Sequence, residues 1–229
     1  MKSIDCVKRL AVCVLLFSAA ILNVGCATPL ANPSTAAELE AVREIVVVPA
    51  DVFVGLSKFA SDDERMTEIE EEHKPVISDF MAHAISENGY SQVAFDFEAY
   101  DGDHNTSYMV TSFKEELAQS METPNDWVPL GESTRELARV TNADALLYVS
   151  YEGIRKSGGE VAKDIGTSIL IGVLTAGSYI PVSAQNSGVA SAYLIDGISG
   201  DILWKNSAVG GENATLVEQA LSKFPSSTD

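Results

Sequence analysis

The chain has 229 residues, of which 46% are hydrophobic, and its 15 basic and 33 acidic residues give a formal charge of −18. A chain this acidic argues against nucleic acid as a partner, because phosphate binding depends on clustered Lys and Arg. The length suits a single domain with a core of its own behind a short leader.

The first 25 residues have the composition of a secretory signal. Lys2, Lys8 and Arg9 precede a run from Leu10 to Gly25 that carries no charge. These sixteen uncharged residues fall short of the roughly 20 that a helix needs to cross a bilayer. A basic start and a short apolar stretch therefore predict a cleaved signal over residues 1–25.

The signal ends in Gly25-Cys26, with Leu22 just upstream. These residues resemble the bacterial lipobox, in which a peptidase cuts before a lipid-modified cysteine, although Asn23 stands where the family usually has an aliphatic residue. Cleavage would remove the other two cysteines and leave Cys26 as the predicted lipidation site. A plain secreted protein with a free surface cysteine is the alternative. Ala27 in place of Asp resembles the sorting signal for the outer membrane, so the expected location is its periplasmic face.

Removal of Lys2, Lys8, Arg9 and Asp5 leaves 12 basic and 32 acidic residues, a formal charge of −20. Residues 26–43 are rich in Ala, Pro, Ser and Thr and predict a lipidated tether. A single periplasmic domain is expected over 44–224, with a polar tail at 225–229.

The first half of the domain is predicted as a strand, a helix and a second strand. Residues 44–54 are a β-branched run with a bulge or strand end at Pro49. A helix runs from Pro75 and ends at Asn88-Gly89, since apolar residues recur at helical spacing. Residues 90–97 alternate as a half-buried strand does.

In the second half, residues 107–121 predict a helix, and Ser133 with Glu136 forms a capping-box pattern that opens another helix through Val140. Residues 144–154 predict a buried strand, and 187–207 predict a C-terminal hairpin. Its turn contains Asp196, Gly197, Ser199 and Gly200, which suit the positive φ angles of tight turns. A last helix is predicted at 212–223. The fold class is therefore α/β, a mixed sheet of about five strands flanked by helices.

Residues 165–195 contain no charged side chain. Gly166, Gly172, Gly177 and Pro181 argue against one straight spanning helix within 165–184. Three interpretations stay open for this segment: a buried core element, a surface that docks a partner, or a surface that inserts into lipid.

The hairpin "YLIDGISGDILWKN" and the strand "NADALLYVSYEG" resemble the corresponding segments of small periplasmic lipoproteins with a fold like the TolB N-terminal domain. This group includes the curli-secretion lipoprotein and the penicillin-binding-protein activator lipoprotein. "IVVVPA" resembles their first strand. The resemblance implies a mixed sheet flanked by helices and a protein that binds partners or assembles, with no catalysis.

The sequence contains few motifs for catalysis or ligand binding. The three histidines lie in separate segments, and no nucleophile elbow or phosphate-binding loop is present. Asp101, Asp103 and Asn105 match the start of a calcium loop, but Thr106 and Ser112 break its pattern. The acidic run at Glu68, Glu70, Glu71 and Glu72 is interpreted as a solvated helix face. No catalytic residue, cofactor or metal site is predicted.

The leading hypothesis is a lipid-anchored periplasmic accessory or assembly protein that binds an envelope protein or itself, with no small-molecule substrate identified. The alternative is an oligomeric pore or export component of the outer membrane that uses segment 165–184.

Overall fold

The computed structural model describes residues 30–57, 64–99, 106–121, 127–156 and 186–227. Within these ranges one mixed sheet is flanked by helices, which confirms the predicted α/β class. The strands are β1 Leu30–Ala31, β2 Glu44–Val47, β3 Asp51–Ser57, β4 Glu64–Arg65, β5 Ser91–Val93, β6 Ala145–Lys156, β7 Asn186–Asp196 and β8 Ile202–Gly210. The helices are α1 Ala36–Ala41, α2 Thr67–Glu87, α3 Thr106–Met121, α4 Glu132–Thr141 and α5 Thr215–Leu221.

The sheet has the order β1-β8-β7-β6-β2-β5, with β3 and β4 beside the far half of β6. Strand β6 is long enough to take two parallel neighbours in succession, β2 along its first half and β3 along its second. The predicted strand 44–54 is thus two strands, with Pro49 between them, where the sequence placed a bulge or a strand end. Strands β6, β7 and β8 form an antiparallel meander.

Helices cover both faces because side chains alternate along the strands. Leu147 and Val149 of β6 pack in one core cluster with residues of α2 and α5, such as Ile77 and Leu216. Leu146 and Tyr148 point to the opposite face and pack with residues of α3 and α4. The domain therefore has a layer of helices on each side of a shared sheet.

Helix α2 begins at Thr67 and not at Pro75, which lies inside the helix. The reason is Glu70, whose side chain is only 1% exposed and accepts hydrogen bonds from the backbone N–H of Val54 and from Arg65 Nε. These contacts tie the first turn of α2 to β3 and β4. Predicting all four glutamates of this run on a solvated face was wrong for Glu70, while Glu68, Glu71 and Glu72 are exposed.

The predicted strand 90–97 is shorter in the structure, where β5 ends at Val93. Asp96 explains the turn after β5, because its Oδ1 accepts hydrogen bonds from the backbone N–H groups of Glu98 and Ala99 at 3.0 Å each. A carboxylate that bonds the backbone two and three residues ahead favours a turn over a continued strand.

The capping box predicted at Ser133 and Glu136 is wrong. The N-cap residue of α4 is Gly131, which has no side chain that could cap the helix. Glu116 of α3 does so instead: its carboxylate accepts hydrogen bonds from the backbone N–H groups of Gly131 at 3.0 Å and Ser133 at 3.1 Å, and from the Thr134 hydroxyl at 3.0 Å.

Much of the predicted tether belongs to the domain. Strand β1 pairs with β8, and the backbone N–H of Asn32 donates to the carbonyl oxygen of Leu203 at 3.0 Å. Val42, after α1, is buried in the core. At the other end, the backbone N–H of Ser227 donates to the carbonyl of Asn88 at 2.9 Å, so the polar tail is attached to the end of α2.

The predicted C-terminal hairpin is confirmed. Asp196 Oδ1 accepts hydrogen bonds from the backbone N–H groups of Ile198 and Ser199, and Gly200 has a φ of 81°. A Cβ on Gly200 would lie 2.5 Å from the carbonyl oxygen of Leu130. The turn thus requires glycine both for its backbone angle and for its close approach to the chain before α4.

Candidate functional site

The strands β3, β6, β7 and β8 extend beyond β2 and form what we call the distal end of the sheet, the end opposite the β7–β8 turn. It comprises Val54–Ser57 of β3, Gly153–Lys156 of β6, Asn186–Gly188 of β7, and Val209 and Gly210 of β8. Residues 157–185, which join β6 to β7, begin and end here.

A polar cluster lies on one face of the distal end. Glu212, in the loop after β8, is 1% exposed at its side chain. Its Oε1 lies 2.9 Å from His73 Nε2 of α2 and accepts a hydrogen bond from the Tyr151 hydroxyl at 3.3 Å. Its Oε2 accepts a hydrogen bond from Arg155 Nε at 2.5 Å. One carboxylate thus joins α2, β6 and the loop before α5.

The environment keeps Glu212 ionised. Burial alone would raise the pKa of its carboxyl, but the hydrogen bonds and charges of Arg155 and His73 outweigh burial and lower it overall. The neighbouring Tyr151 hydroxyl has a raised pKa because of burial first and the Glu212 charge second. The tyrosine therefore stays protonated and acts as a donor to the carboxylate.

Gly153 makes room for this cluster. A Cβ at Gly153 would lie 2.7 Å from Glu212 Cγ and 3.1 Å from the Tyr151 hydroxyl. From the sequence, His73 is only an isolated histidine, and neither Glu212 nor Arg155 was predicted to belong to a site. The pairing was not visible because 139 residues separate His73 from Glu212.

The opposite face of the distal end carries two buried apolar side chains beside polar ones. Ile154 and Val189 are each 3% exposed, and they are the two buried hydrophobic residues of the described part that belong to neither core cluster. Ile154 pairs with Ser187 across β6 and β7, and Val189 pairs with Glu152 one row further in. We call Ile154 and Val189 the distal apolar pair.

A second polar group lies further along the sheet. Asp51 of β3 accepts a hydrogen bond from the Tyr148 hydroxyl at 2.7 Å, and Lys114 Nζ of α3 lies 2.5 Å from its other oxygen. Burial, followed by the Asp51 charge, raises the pKa of Tyr148. This arrangement joins α3 to the sheet through an exposed carboxylate, whereas the Glu212 carboxylate that joins α2 to the sheet is buried.

Several predicted residues lie outside the described part of the chain: Cys26, the acidic loop 101–105 with His104, and segment 165–184. His83 lies on the surface, 3.5 Å from Glu87. Among the described residues, no three or more His, Cys, Asp or Glu side chains converge as metal ligands would. In those same ranges no helix is both long and apolar enough to cross a bilayer.

No protein-family model and no curated protein matches the sequence. Similar solved structures include lipoprotein GNA1162 from Neisseria meningitidis, with 18% identity, 78% of this chain and 91% of the other covered, and a TM-score of 0.33. A PelC dodecamer from Paraburkholderia phytofirmans has 12% identity and a TM-score of 0.35, and the match covers 90% of this chain and 100% of the other. The LpoB C-terminal domain from Salmonella enterica has 11% identity and a TM-score of 0.31, and the match covers 74% of this chain and 83% of the other. Because every TM-score is below 0.5, these likenesses carry no argument about what this chain does.

Proposed function

We propose that this protein is a lipid-anchored accessory or assembly protein on the periplasmic face of the bacterial outer membrane, and that it acts by binding other envelope proteins and not by catalysis. Its α/β domain is the binding module and Cys26 is its attachment point.

The observation that carries this proposal is the position of Gly25-Cys26. The pair ends a segment with a basic start and an uncharged run, and Cys26 lies four residues before Leu30, where strand β1 begins. Each acyl-chain methylene buried in the bilayer contributes roughly 0.8 kcal/mol to the free energy of membrane binding, and two or more chains give stable attachment. A lipid on Cys26 would hold the domain at the membrane without a spanning helix.

Two buried carboxylates of the described part already have partners within the protein. Glu212 is held by Arg155, His73 and Tyr151, and Glu70 by Arg65 and a backbone N–H. Glu212 joins residues that are 57 to 139 positions away, and Glu70 joins the first turn of α2 to the preceding strands β3 and β4, so each carboxylate holds the fold together. A general acid or base would need a proton to exchange with a bound substrate, whereas these oxygens already accept hydrogen bonds from the protein.

Attachment is tested by fractionating cells that produce the wild type, Cys26→Ala and Cys13→Ala. The Cys26→Ala protein should move from the membrane fraction to the soluble periplasm, while Cys13→Ala should stay with the membrane because Cys13 lies within the predicted signal. Membrane retention of Cys26→Ala would refute lipid anchoring through this residue.

Partner binding is tested by photo-crosslinking in living cells. A photoreactive residue at Ile198, which is 81% exposed on the β7–β8 turn, should give discrete adducts with envelope proteins identifiable by mass spectrometry. The matched control is His83, an exposed polar position on α2. Equal or absent adducts at the two positions would contradict the binding of envelope proteins through the turn.

A further inference from the structure

The β7–β8 turn carries the most exposed large hydrophobic side chain of the described residues. Ile198 is 81% exposed, and Val128, in the loop before α4, is 42% exposed. The turn and this loop are in contact, because the backbone N–H of Leu130 donates to the carbonyl of Gly200 at 2.8 Å. A single exposed apolar side chain is ordinary on a protein surface, so the role of Ile198 depends on how it is held and on what lies beside it.

The turn holds the backbone of Ile198 in a fixed position. The Asp196 carboxylate accepts hydrogen bonds from the backbone N–H groups of Ile198 at 2.9 Å and Ser199 at 2.6 Å. The turn is also bonded to the chain before β6, where the backbone N–H of Gly197 donates to the carbonyl of Asp144 at 2.8 Å. A backbone that is already ordered loses little conformational freedom on binding, so more of the energy gained by burying Ile198 would appear as affinity.

Arg135 of α4 lies beside the turn. Its Nη1 donates long hydrogen bonds of 3.4 Å to the carbonyl oxygens of Leu130 and Ser199, the residue that follows Ile198. Among the described residues, no carboxylate pairs with Arg135 and no acceptor bonds its Nε or Nη2. The Nε and Nη2 edge of the guanidinium is the edge that arginine uses to form two parallel hydrogen bonds with one carboxylate.

The acidic side chains around the turn do not neutralise Arg135. Glu132, three residues before it, is exposed and does not pair with it. Four other carboxylates at this end of the domain accept hydrogen bonds from the protein itself: Asp144, Asp196, Glu116 and Glu136. Arg135 is therefore a positive charge without a paired carboxylate, beside an exposed apolar side chain, in a chain with a formal charge of −18. A complementary partner would bring a negative charge to this position.

We propose that Ile198, Val128 and Arg135 form a docking surface, which we call the turn surface, for an envelope protein that has an apolar pocket beside an Asp or Glu. Ile198 enters the pocket, and the partner carboxylate bonds the Nε and Nη2 edge of Arg135. This inference rests on the proposed function, since it names the chemistry of the protein that would bind. Arginine suits the site because its planar guanidinium matches a carboxylate in geometry as well as in charge.

A membrane surface fits these residues less well than a protein does. The acidic chain is repelled by an anionic bilayer, and one arginine near such a surface contributes only about 1 kcal/mol of attraction. A protein partner can place one carboxylate at the guanidinium without bringing a wide negative surface close to the domain.

The turn surface is tested by photo-crosslinking in living cells from Val128, which leaves Ile198 and Arg135 in place. Arg135→Glu should lower the yield of adducts with envelope proteins by about tenfold or more, as expected for loss of an interface hot spot, and Ile198→Ser should also lower it. Arg139→Glu is the matched control, because Arg139 lies on the same helix and already pairs with Glu136. Its adduct yield should equal that of the wild type.

Circular dichroism of the purified variants checks that each is folded. Arg135→Lys gives a second measurement that does not reverse the charge: it keeps the positive charge but lacks the two-donor edge, so it should retain only part of the adduct yield. Wild-type yield in both Arg135 variants, or an equal loss in Arg139→Glu, would overturn the role of Arg135.

The partner's chemistry is tested by charge reversal. Mass spectrometry identifies the cross-linked residue of the partner, and Lys is substituted in turn for each Asp or Glu near it. One of these substitutions should restore the adduct with Arg135→Glu, because the two charges are then exchanged. Failure of every substitution to restore it would overturn pairing between Arg135 and a carboxylate.

Purified, unlipidated Cys26→Ala protein should not bind phosphatidylglycerol vesicles. Binding that is lost in Ile198→Ser would identify the turn surface as a membrane contact and overturn the proposal. Absence of every adduct from Val128 in the wild-type background would refute binding of envelope proteins through the turn, and the turn surface with it. Adducts of equal yield in wild type and both Arg135 variants would overturn the turn surface alone and leave the proposed function in place.

Discussion

The carboxylate of Glu116 on α3 accepts a hydrogen bond from the backbone N–H of Ser133 on α4 at 3.1 Å, so α4 is capped by a neighbouring helix. The same carboxylate bonds the Gly131 N–H and the Thr134 hydroxyl. It therefore satisfies N–H groups that the first turn of a helix leaves without partners, and its negative charge suits the helix N-terminus.

Replacing Glu116 with Ala should lower the free energy of unfolding by about 1–2 kcal/mol, the usual value of a helix cap. Ser133→Ala should change it by less than about 0.5 kcal/mol, because the Ser133 side chain does not cap the helix. Urea denaturation of both variants measures the difference. A larger effect from Ser133→Ala would restore the capping box that the sequence predicted.

Gly200→Val should destabilise the domain by about 2 kcal/mol or more, because the side chain would meet both an unfavourable φ of 81° and the Leu130 carbonyl. Gly211→Val is the matched control, since no atom lies within 4 Å of a Cβ added there. Equal thermal stability of the two variants would show that the turn does not require glycine at position 200.

Glu212→Gln should lower stability near neutral pH by about 2 kcal/mol, because Arg155 and His73 lose their carboxylate partner. The pKa of Glu212 is lower in the folded protein than its ordinary value of 4.5. The stability that the ionised Glu212 carboxylate contributes to the folded protein is therefore fully present above pH 4.5. It is lost as the pH falls below that value and through the folded-state pKa.

Urea denaturation of wild type and Glu212→Gln between about pH 7 and about pH 3.5 measures this effect. The stability gap between them should narrow as the pH falls below about 4.5. Glu71→Gln, which removes an exposed pair with Lys74, should leave the wild-type profile unchanged. A gap that widens in acid would contradict the lowered pKa.

Deletion of residues 165–184 should leave a cooperatively folded domain. Arg155 pairs with Asn186, so the ends of β6 and β7 are already adjacent, and side chains of both strands pack against the described helices. Urea denaturation followed by circular dichroism measures the unfolding transition of the shortened protein, with the full-length protein as the control. Loss of the cooperative transition would instead identify the segment as core.

The sequence predicted best where local chemistry decides the structure. Three predicted features depend on near neighbours: Asp196 and Gly200 in the β7–β8 turn, the strand end near Pro49, and helix α3. These features need no knowledge of what lies across the fold.

Predictions failed where a contact between separate elements of the fold decides the structure. Glu70 looks solvated in a run of acids, yet Val54 and Arg65 bury it, and Glu116 caps a helix that begins sixteen residues later. Residues 30–43 have the composition of a linker, but the edge of β8 turns their first residues into a strand. The Glu212 cluster joins four separate positions, and nothing in the spacing of those residues indicates that they meet.

Lipid anchoring at Cys26 is decided by the intact mass of the N-terminal peptide of the protein extracted from membranes. We expect a peptide that begins at Cys26 and carries a diacylglyceryl group on its sulfur, with a mass shift that is lost after Cys26→Ala. A peptide that begins elsewhere, or an unmodified Cys26 in membrane-bound protein, would contradict the lipid anchor.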